Sequence, residues 1–352
     1  MKYPALLPFD DILPQLDTYD AIIDARSPSE FALDHLPGAI NCPVLDDEQR
    51  VRIGTMYKQI GAFEAKKLGA ALIAKNIGQH IETLWQDQPR DWKPLVYCWR
   101  GGNRSGAMAH IMAKIGWPVT QLDGGYKAFR AHVSAALAAT PMASFKVICG
   151  TTGSGKSRLL ETLQACGGQV LDLEQLAAHR GSVLGGLPSK PQPSQKAFET
   201  AIWQMLRQVD ASRPVFVESE SKKVGQLRVP DALMEAMRAA DCIALTLSRP
   251  NRVRLLMEDY LHFTQDPATL NTQLDCLVLM HGREKISRWH TLANDGQMAQ
   301  LVDELLVDHY DPAYLRSIDR NFANYGAAQP LELAGIDGPA LQTAADQLLG
   351  IS

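Results

Sequence analysis

No two of the six cysteines (42, 98, 149, 166, 242 and 276) form a C-x-x-C pair, and no zinc-type spacing links them. That argues against a disulfide scaffold and points to reduced thiols. The nine histidines show no ligand spacing either, so no metal site of transition type is expected. No apolar run approaches the roughly 20 residues a membrane helix needs, so no membrane partner is expected. The opening MKYPALLPFDDILPQ carries acids where a secretion signal needs an apolar core, which reads as a cytoplasmic protein. An excess of positive charge is missing too: the net charge is −4, so any nucleic acid must be met by a local basic patch. Repeats and low-complexity tracts are absent.

What remains is ordinary in bulk. The chain has 352 residues, 46% hydrophobic and 21% charged, enough for two domains that each bury a core. The pattern predicts an α/β fold of two parallel-sheet domains, the second with a helical C-terminal portion. The boundaries fall at 1–137, a linker at 138–143, and 144–352.

The first domain turns on Val96-Tyr97-Cys98-Trp99-Arg100-Gly101-Gly102-Asn103-Arg104-Ser105-Gly106. An apolar strand, Pro94 to Tyr97, ends at a cysteine; a Gly-rich loop follows, then helical spacing from Ser105. Such a strand-loop-helix turns backbone N–H groups inward and adds the partial positive charge of a helix N-terminus. Arg100 and Arg104 add full charges. Most lone cysteines are buried hydrophobes, but this setting favours a thiolate, so Cys98 reads as a nucleophile acting on an anionic group. Upstream lie the short strand 20–24, a helix capped by Ser27 with Pro28 in its first turn, and a strand from Ala39 to Asn41. A strand at 118–122 and the turn Asp123–Tyr126 follow the loop.

In the second domain, the strand Phe145–Cys149 leads into Gly150-Thr151-Thr152-Gly153-Ser154-Gly155-Lys156-Ser157, which matches G-x-x-x-x-G-K-[ST]. The loop's N–H groups suit a diphosphate, Lys156 its terminal oxygens, and the Ser157 hydroxyl a Mg²⁺ ion. Mg²⁺ is the one cofactor expected; no organic cofactor is identified. The acid associated with it is Glu218, at the end of the strand 214–217 with Glu220 two residues on, or Asp172 with Glu174; either pair reads equally as solvated acids at strand ends. A strand at 242–247 runs into the basic stretch Ser248–Arg254, which reads as a phosphate contact or a solvated face. His179–Ser182 and the loop 185–195 read as a polar, mobile region, and the chain from about 251 as mostly helical.

The segment DARSPSEF…HLPGAIN, the cysteine loop and LDGGYKAF together resemble a rhodanese domain, whose loop cysteine carries a sulfane sulfur. One departure is the five residues between Cys98 and Arg104, where many sulfurtransferases have four; five is also the phosphatase pattern. The pairing of such a domain with a P-loop resembles the bacterial tRNA 2-selenouridine synthase family over nearly the whole chain. The segments that carry this are RIGTMYKQ (52–59), YCWRGGNRSG (97–106), LDGGYKAF (122–129), GTTGSGKS (150–157), LDLEQLAAHRGS (171–182), VESESKKVG (217–225) and YDPAY (310–314). The resemblance implies that sulfur in wobble 2-thiouridine of tRNA is replaced by selenium from selenophosphate, through an S-geranyl intermediate made from geranyl diphosphate. It implies Cys98 as the group that binds selenophosphate or carries selenium as a perselenide. A sulfurtransferase or Cys-x5-Arg phosphatase fused to a kinase-like nucleotide domain stays open, as does the oligomeric state.

Overall fold

In both halves the strands are short, apolar and separated by helices, and this pattern has folded into two five-stranded parallel sheets. The computed structural model describes residues 3–100, 102–182, 185–186, 190–261, 263 and 266–351. The first sheet holds β1 (Ala5–Leu7), β2 (Ala21–Asp24), β3 (Ala39–Asn41), β4 (Pro94–Tyr97) and β5 (Thr120–Leu122), in the order β1-β5-β4-β2-β3. All four residues of the central strand β4 are buried, as a strand covered on both faces requires. Trp85, Trp92 and Trp117 close the core beneath it with Met108 and Met112. Ser27 and Glu30 form a reciprocal capping box, and Pro28 occupies the first turn of the helix Pro28–Leu33.

The second sheet contains β6 (Phe145–Cys149), β7 (Gln169–Leu171), β8 (Val215–Glu218), β11 (Asp241–Leu247) and β12 (Gln329–Leu333), ordered β12-β11-β6-β8-β7. A two-stranded antiparallel ribbon, β9 (Lys223–Val224) with β10 (Leu227–Arg228), stands apart from it. The helical stretch from 251 contains a strand that its sequence pattern does not announce. β12 pairs parallel with β11 through its full length, and only Leu331 and Leu333 of its five residues are buried. A second apolar cluster, with Trp289 fully buried at its centre, joins the helices Pro267–Asp275, Arg283–Asn294 and Met298–Leu305.

The chain divides into two compact units: 1–136 with Ser194–Trp203, and 137–193 with 204–352. The second unit is thus not contiguous in sequence, because Ser194–Trp203 packs with the first. The cause is one apolar face of the helix Gln195–Arg207, where Phe198, Ile202 and Trp203 are buried. Trp203 meets Phe129 edge to face at 5.6 Å, and Arg130 forks between Glu199 and the Thr200 hydroxyl. Residues 139–144 carry no helix or strand, where the linker was expected. No helix among the described residues is long and apolar enough to cross a membrane.

Candidate active sites

Cys98 follows β4, the middle strand of the first sheet, and the helix Asn103–Ile115 starts five residues later. The helix begins two residues earlier than the sequence pattern suggests, which places Arg104 and Ser105 in its first turn. Gln121 Nε2 donates to Ser105 Oγ at 3.2 Å, and Ser105 Oγ in turn donates to Cys98 Sγ at 3.2 Å. Burial alone pushes the Cys98 thiol up. The Ser105 hydroxyl, the N–H groups of Gly102 and Ser105 and the Arg104 charge outweigh it, and the thiol lies below its ordinary value. Burial without such donors does the opposite at Cys42, whose thiol is pushed up to about 12.

The two loop arginines do different things. Arg104 is held by Glu30, Nη1 to Oε2 at 2.6 Å and Nη2 to Oε1 at 3.3 Å, and Glu30 also takes Arg50 at 3.0 Å. Arg104 therefore acts as an anchored positive charge beside the loop. Arg100 is exposed and makes no ion pair among the described residues. Gly101 lies outside them. The loop's other wall is a buried scaffold. Arg26 grips Asp24 with Nη2 to Oδ2 at 2.6 Å, donates to the Asp34 carbonyl at 2.6 Å, and lies 4.0 Å over the Tyr126 ring. The N–H groups of Tyr126 and Lys127 hold the Cys98 and Trp99 carbonyls at 2.7 and 2.9 Å. Ser105, Glu30, Gln121 and Arg26 escape sequence reasoning as site residues. All four lie in segments that the sequence singles out, Arg26 and Glu30 within DARSPSEF, Ser105 next to the loop arginine and Gln121 in the strand 118–122, but nothing local gives them a role at the thiol.

In the second unit the phosphate loop follows β6, again the middle strand, and the helix Lys156–Ala165 receives it. Gly153 and Gly155 adopt φ of +75° and +91°, which favours glycine. A Cβ on Gly150 would come within 2.3 Å of Ser154 Oγ, so this glycine is dictated by contact rather than dihedral. Lys156 Nζ rests on the Gly150 carbonyl at 2.7 Å, and the buried Ser154 hydroxyl has no partner. Thr151 accepts from the Ser154 N–H at 3.0 Å. Thr152 offers its carbonyl to Arg252 at 2.7 and 3.0 Å, and Arg252 is clamped by Asp311 at 2.6 and 2.9 Å. Of the basic stretch Ser248–Arg254, then, Arg252 is a buried brace of the loop, while Arg249 pairs with Asp303 and Arg254 with Glu258. Tyr314, within YDPAY, accepts from the Gly150 N–H at 2.6 Å and meets Ser219 Oγ at 2.8 Å.

Four acids gather here rather than one pair. Ser157 Oγ donates to Glu174 Oε2 at 3.1 Å, and the Glu174 N–H donates to Glu218 Oε1 at 2.9 Å. Glu218 Oε2 is buried without a partner. Burial, then repulsion from Asp172, Glu174 and Glu220, holds the Glu218 carboxyl well above its usual range. Burial and Glu174 raise Glu220 to about 8, opposed by Lys156. Asp172 is raised to about 6 by burial, though its Oδ1 caps a helix by accepting from the Gln175 N–H at 2.7 Å. No three His, Cys, Asp or Glu side chains among the described residues form a metal cage. A hydroxyl with acids behind it still fits Mg²⁺, which keeps most of its shell as water and ligand phosphates.

These groups face a cavity of about 430 Å³ bounded by the phosphate loop, Glu174, Glu220 and the helix Asp311–Asn321. An apolar slot opens beside it, lined by Met257, Phe263, Met298, Leu301 and Leu305, and shares Thr152, Ser182, Leu256, Tyr260 and Tyr310 with the cavity. His179 and Gly186 form an isolated antiparallel bridge, and Arg180, Gly181 and Ser182 line the cavity wall. Of the loop 185–195 expected to be mobile, residues 187–189 lie outside the described residues.

Comparison with known proteins matches the same two parts. Residues 9–132 fit a model described as a rhodanese-like domain, and residues 143–288 one described as a tRNA 2-selenouridine synthase AAA domain. A tRNA 2-selenouridine synthase of Sulfurovum sp. is 36% identical over 88% of this chain and 93% of its own. One from Shewanella halifaxensis is 35% identical over 85% of this chain and 89% of its own. One from Nitrosomonas europaea is 36% identical over 72% of this chain, and that match spans 66% of its length.

Proposed function

The chain belongs to the tRNA 2-selenouridine synthase family, and from that premise we propose that it exchanges sulfur for selenium in wobble 2-thiouridine of tRNA. The exchange uses geranyl diphosphate at the phosphate loop and selenophosphate at Cys98. Thiocarbonyl sulfur is a poor leaving group until it is alkylated. In the first step that sulfur attacks C1 of geranyl diphosphate; the C–O bond breaks, diphosphate leaves with the electron pair, and the base loses its N3 proton. The loop N–H groups and Lys156 hold the departing diphosphate. Mg²⁺, held by Ser157 with Glu174, would neutralise charge on that diphosphate.

The observation that carries the prenyl reading over a nucleotide is the apolar slot beside the phosphate loop. A base and ribose placed there would leave polar edges unpaired, whereas a branched hydrocarbon chain would not. In the second step the Cys98 thiolate attacks phosphorus of selenophosphate, the P–Se bond breaks, and hydrogen selenide leaves. It adds to C2 of the geranylated base and expels geranylthiol; water then hydrolyses the phosphocysteine. Selenium stays at the selenide level throughout, so no oxidant is needed, whereas a perselenide on Cys98 would require one. The five-residue spacing to Arg104 and the Ser105 bond to Sγ support this phosphoryl chemistry. The test is to supply thiolated tRNA with geranyl diphosphate, then selenophosphate, and to analyse the nucleosides by mass spectrometry. Geranylated and then selenated uridine are expected in that order. Selenation with no geranyl diphosphate present, at an undiminished rate, would refute the sequence of steps.

A further inference from the structure

We propose that the arm of the phosphate-loop cavity ending at Arg238 is the seat of the RNA acceptor, with Arg238 binding a backbone phosphate next to the reacting nucleotide. The proposal rests on the reading of this site as an alkyl transferase to RNA. Five cations line the cavity, and four are already engaged. Lys156 sits on the Gly150 carbonyl, Arg158 on Glu258 and Asp259, Arg180 on Asp259, and Lys222 on Asp231. Arg238 differs. It makes no ion pair or side-chain hydrogen bond among the described residues, and its Nε is shut off from solvent with no partner. Arg238 is half-buried and lines the cavity; its Nε–H is cut off from water with no acceptor, which is costly, and an anion in the cavity would supply one.

That anion is not the diphosphate on the loop. The helix Asp311–Asn321 runs along the cavity. Its first residue clamps Arg252 against the phosphate loop, and just past its last the Ala323 N–H donates to the Arg238 carbonyl. Ten helical rises separate these ends by about 15 Å. Arg238 also closes the helix Asp231–Arg238 that feeds the start of β11, whereas the phosphate loop follows the end of β6, and these strands are parallel. The cavity therefore offers positive charge at two separated places. A nucleoside triphosphate gathers its anions at one end and would set a base against the guanidinium. An RNA strand brings phosphates of its own.

The walls between the two places suit a nucleotide. Ser221, Ser317 and Asn321 supply hydroxyl and amide groups, and Tyr314 and Phe322 supply aromatic faces. The apolar slot and this polar arm thus serve donor and acceptor from the same phosphate loop.

The experiment measures binding of a 2-thiouridine anticodon stem-loop to the full-length protein between about 50 and 200 mM salt. Wild type is compared with Arg238→Gln and Arg238→Lys, and the KM for geranyl diphosphate is measured in parallel. Arg238→Gln is expected to weaken the stem-loop at least about tenfold and to lower the log–log salt slope by about one. Arg238→Lys should restore the slope, and the KM for geranyl diphosphate should not move. Wild-type affinity and slope in Arg238→Gln would overturn the proposal, as would a loss confined to geranyl diphosphate. A wild-type protein that binds no stem-loop would refute the RNA-transferase reading along with it, and so stands apart from failure of the Arg238 assignment alone.

Discussion

The two loops share a backbone plan and differ in what their side chains do with it. Each follows the middle strand of a five-stranded parallel sheet, β4 in one unit and β6 in the other, and each feeds a helix N-terminus. In the first, the donors converge on a protein atom, Cys98 Sγ, and the arginine charge is tethered by Glu30. In the second, the cation Lys156 is parked on a carbonyl, and Glu218 and Glu220 are held high by burial and repulsion from neighbouring acids. One loop stabilises an anion that belongs to the chain, and the other waits for an anion that arrives. Strand-loop-helix geometry supplies the positive field in both, and on the proposed function the side chains of one serve a nucleophile and those of the other a leaving group.

The largest expected effect breaks the comparison at its nucleophile. Cys98→Ser should lower selenium insertion by roughly three orders of magnitude or more, because serine keeps the shape but not the anion. S-geranyl tRNA should accumulate, read by nucleoside mass spectrometry. Next comes Lys156→Ala, expected to slow geranylation by roughly 10²–10³, about 2.7–4 kcal/mol in the barrier. Gly150→Ala sharpens the contrast sterically: its Cβ would meet Ser154 Oγ at 2.3 Å and the Leu245 carbonyl at 3.0 Å, so geranylation should fail while thiol reactivity at Cys98 persists.

Ser105→Ala should cost roughly tenfold in alkylation of Cys98 by iodoacetamide at neutral pH, with the pH midpoint moved upward. An unmoved midpoint would mean that Ser105 is merely structural. The smallest effect concerns the acids. Glu220 at about 8 and Asp172 at about 6 hold protons in the folded protein that the unfolded chain, with ordinary values of 4.5 and 3.8, releases. Stability from these groups is therefore present at low pH and lost as pH rises through about 6 and then about 8. Thermal unfolding should shift to lower temperature across that window, and Glu220→Gln should flatten the decline.

The two nucleating motifs were legible because each places unusual residue types at short, fixed spacing: Cys98 with Arg104, and Gly150 through Ser157. The parallel sheets followed from apolar strands alternating with helices. What stayed hidden depends on contacts across long stretches of chain. Glu30 reaches Arg104 over 74 residues, and Tyr314 reaches Gly150 over 164. Arg252 sits in a basic run that reads as a phosphate contact or a solvated face, yet Asp311 and the Thr152 carbonyl draw it inside. β12 was missed because its edge position leaves alternate residues exposed, so its five residues lack a buried strand's apolar run. The excursion of Ser194–Trp203 into the first unit was missed because an amphipathic helix does not say which core it faces.

The division of labour between the loops is tested most directly by supplying pre-geranylated tRNA and selenophosphate to the Lys156→Ala and Cys98→Ser proteins. The account predicts that the Lys156 variant inserts selenium at close to the wild-type rate, because its defect lies in a step already completed, and that the Cys98 variant inserts none. A Lys156 variant that makes geranyl-tRNA normally but fails with the pre-geranylated substrate would contradict it, and would assign the phosphate loop to selenophosphate or a nucleotide.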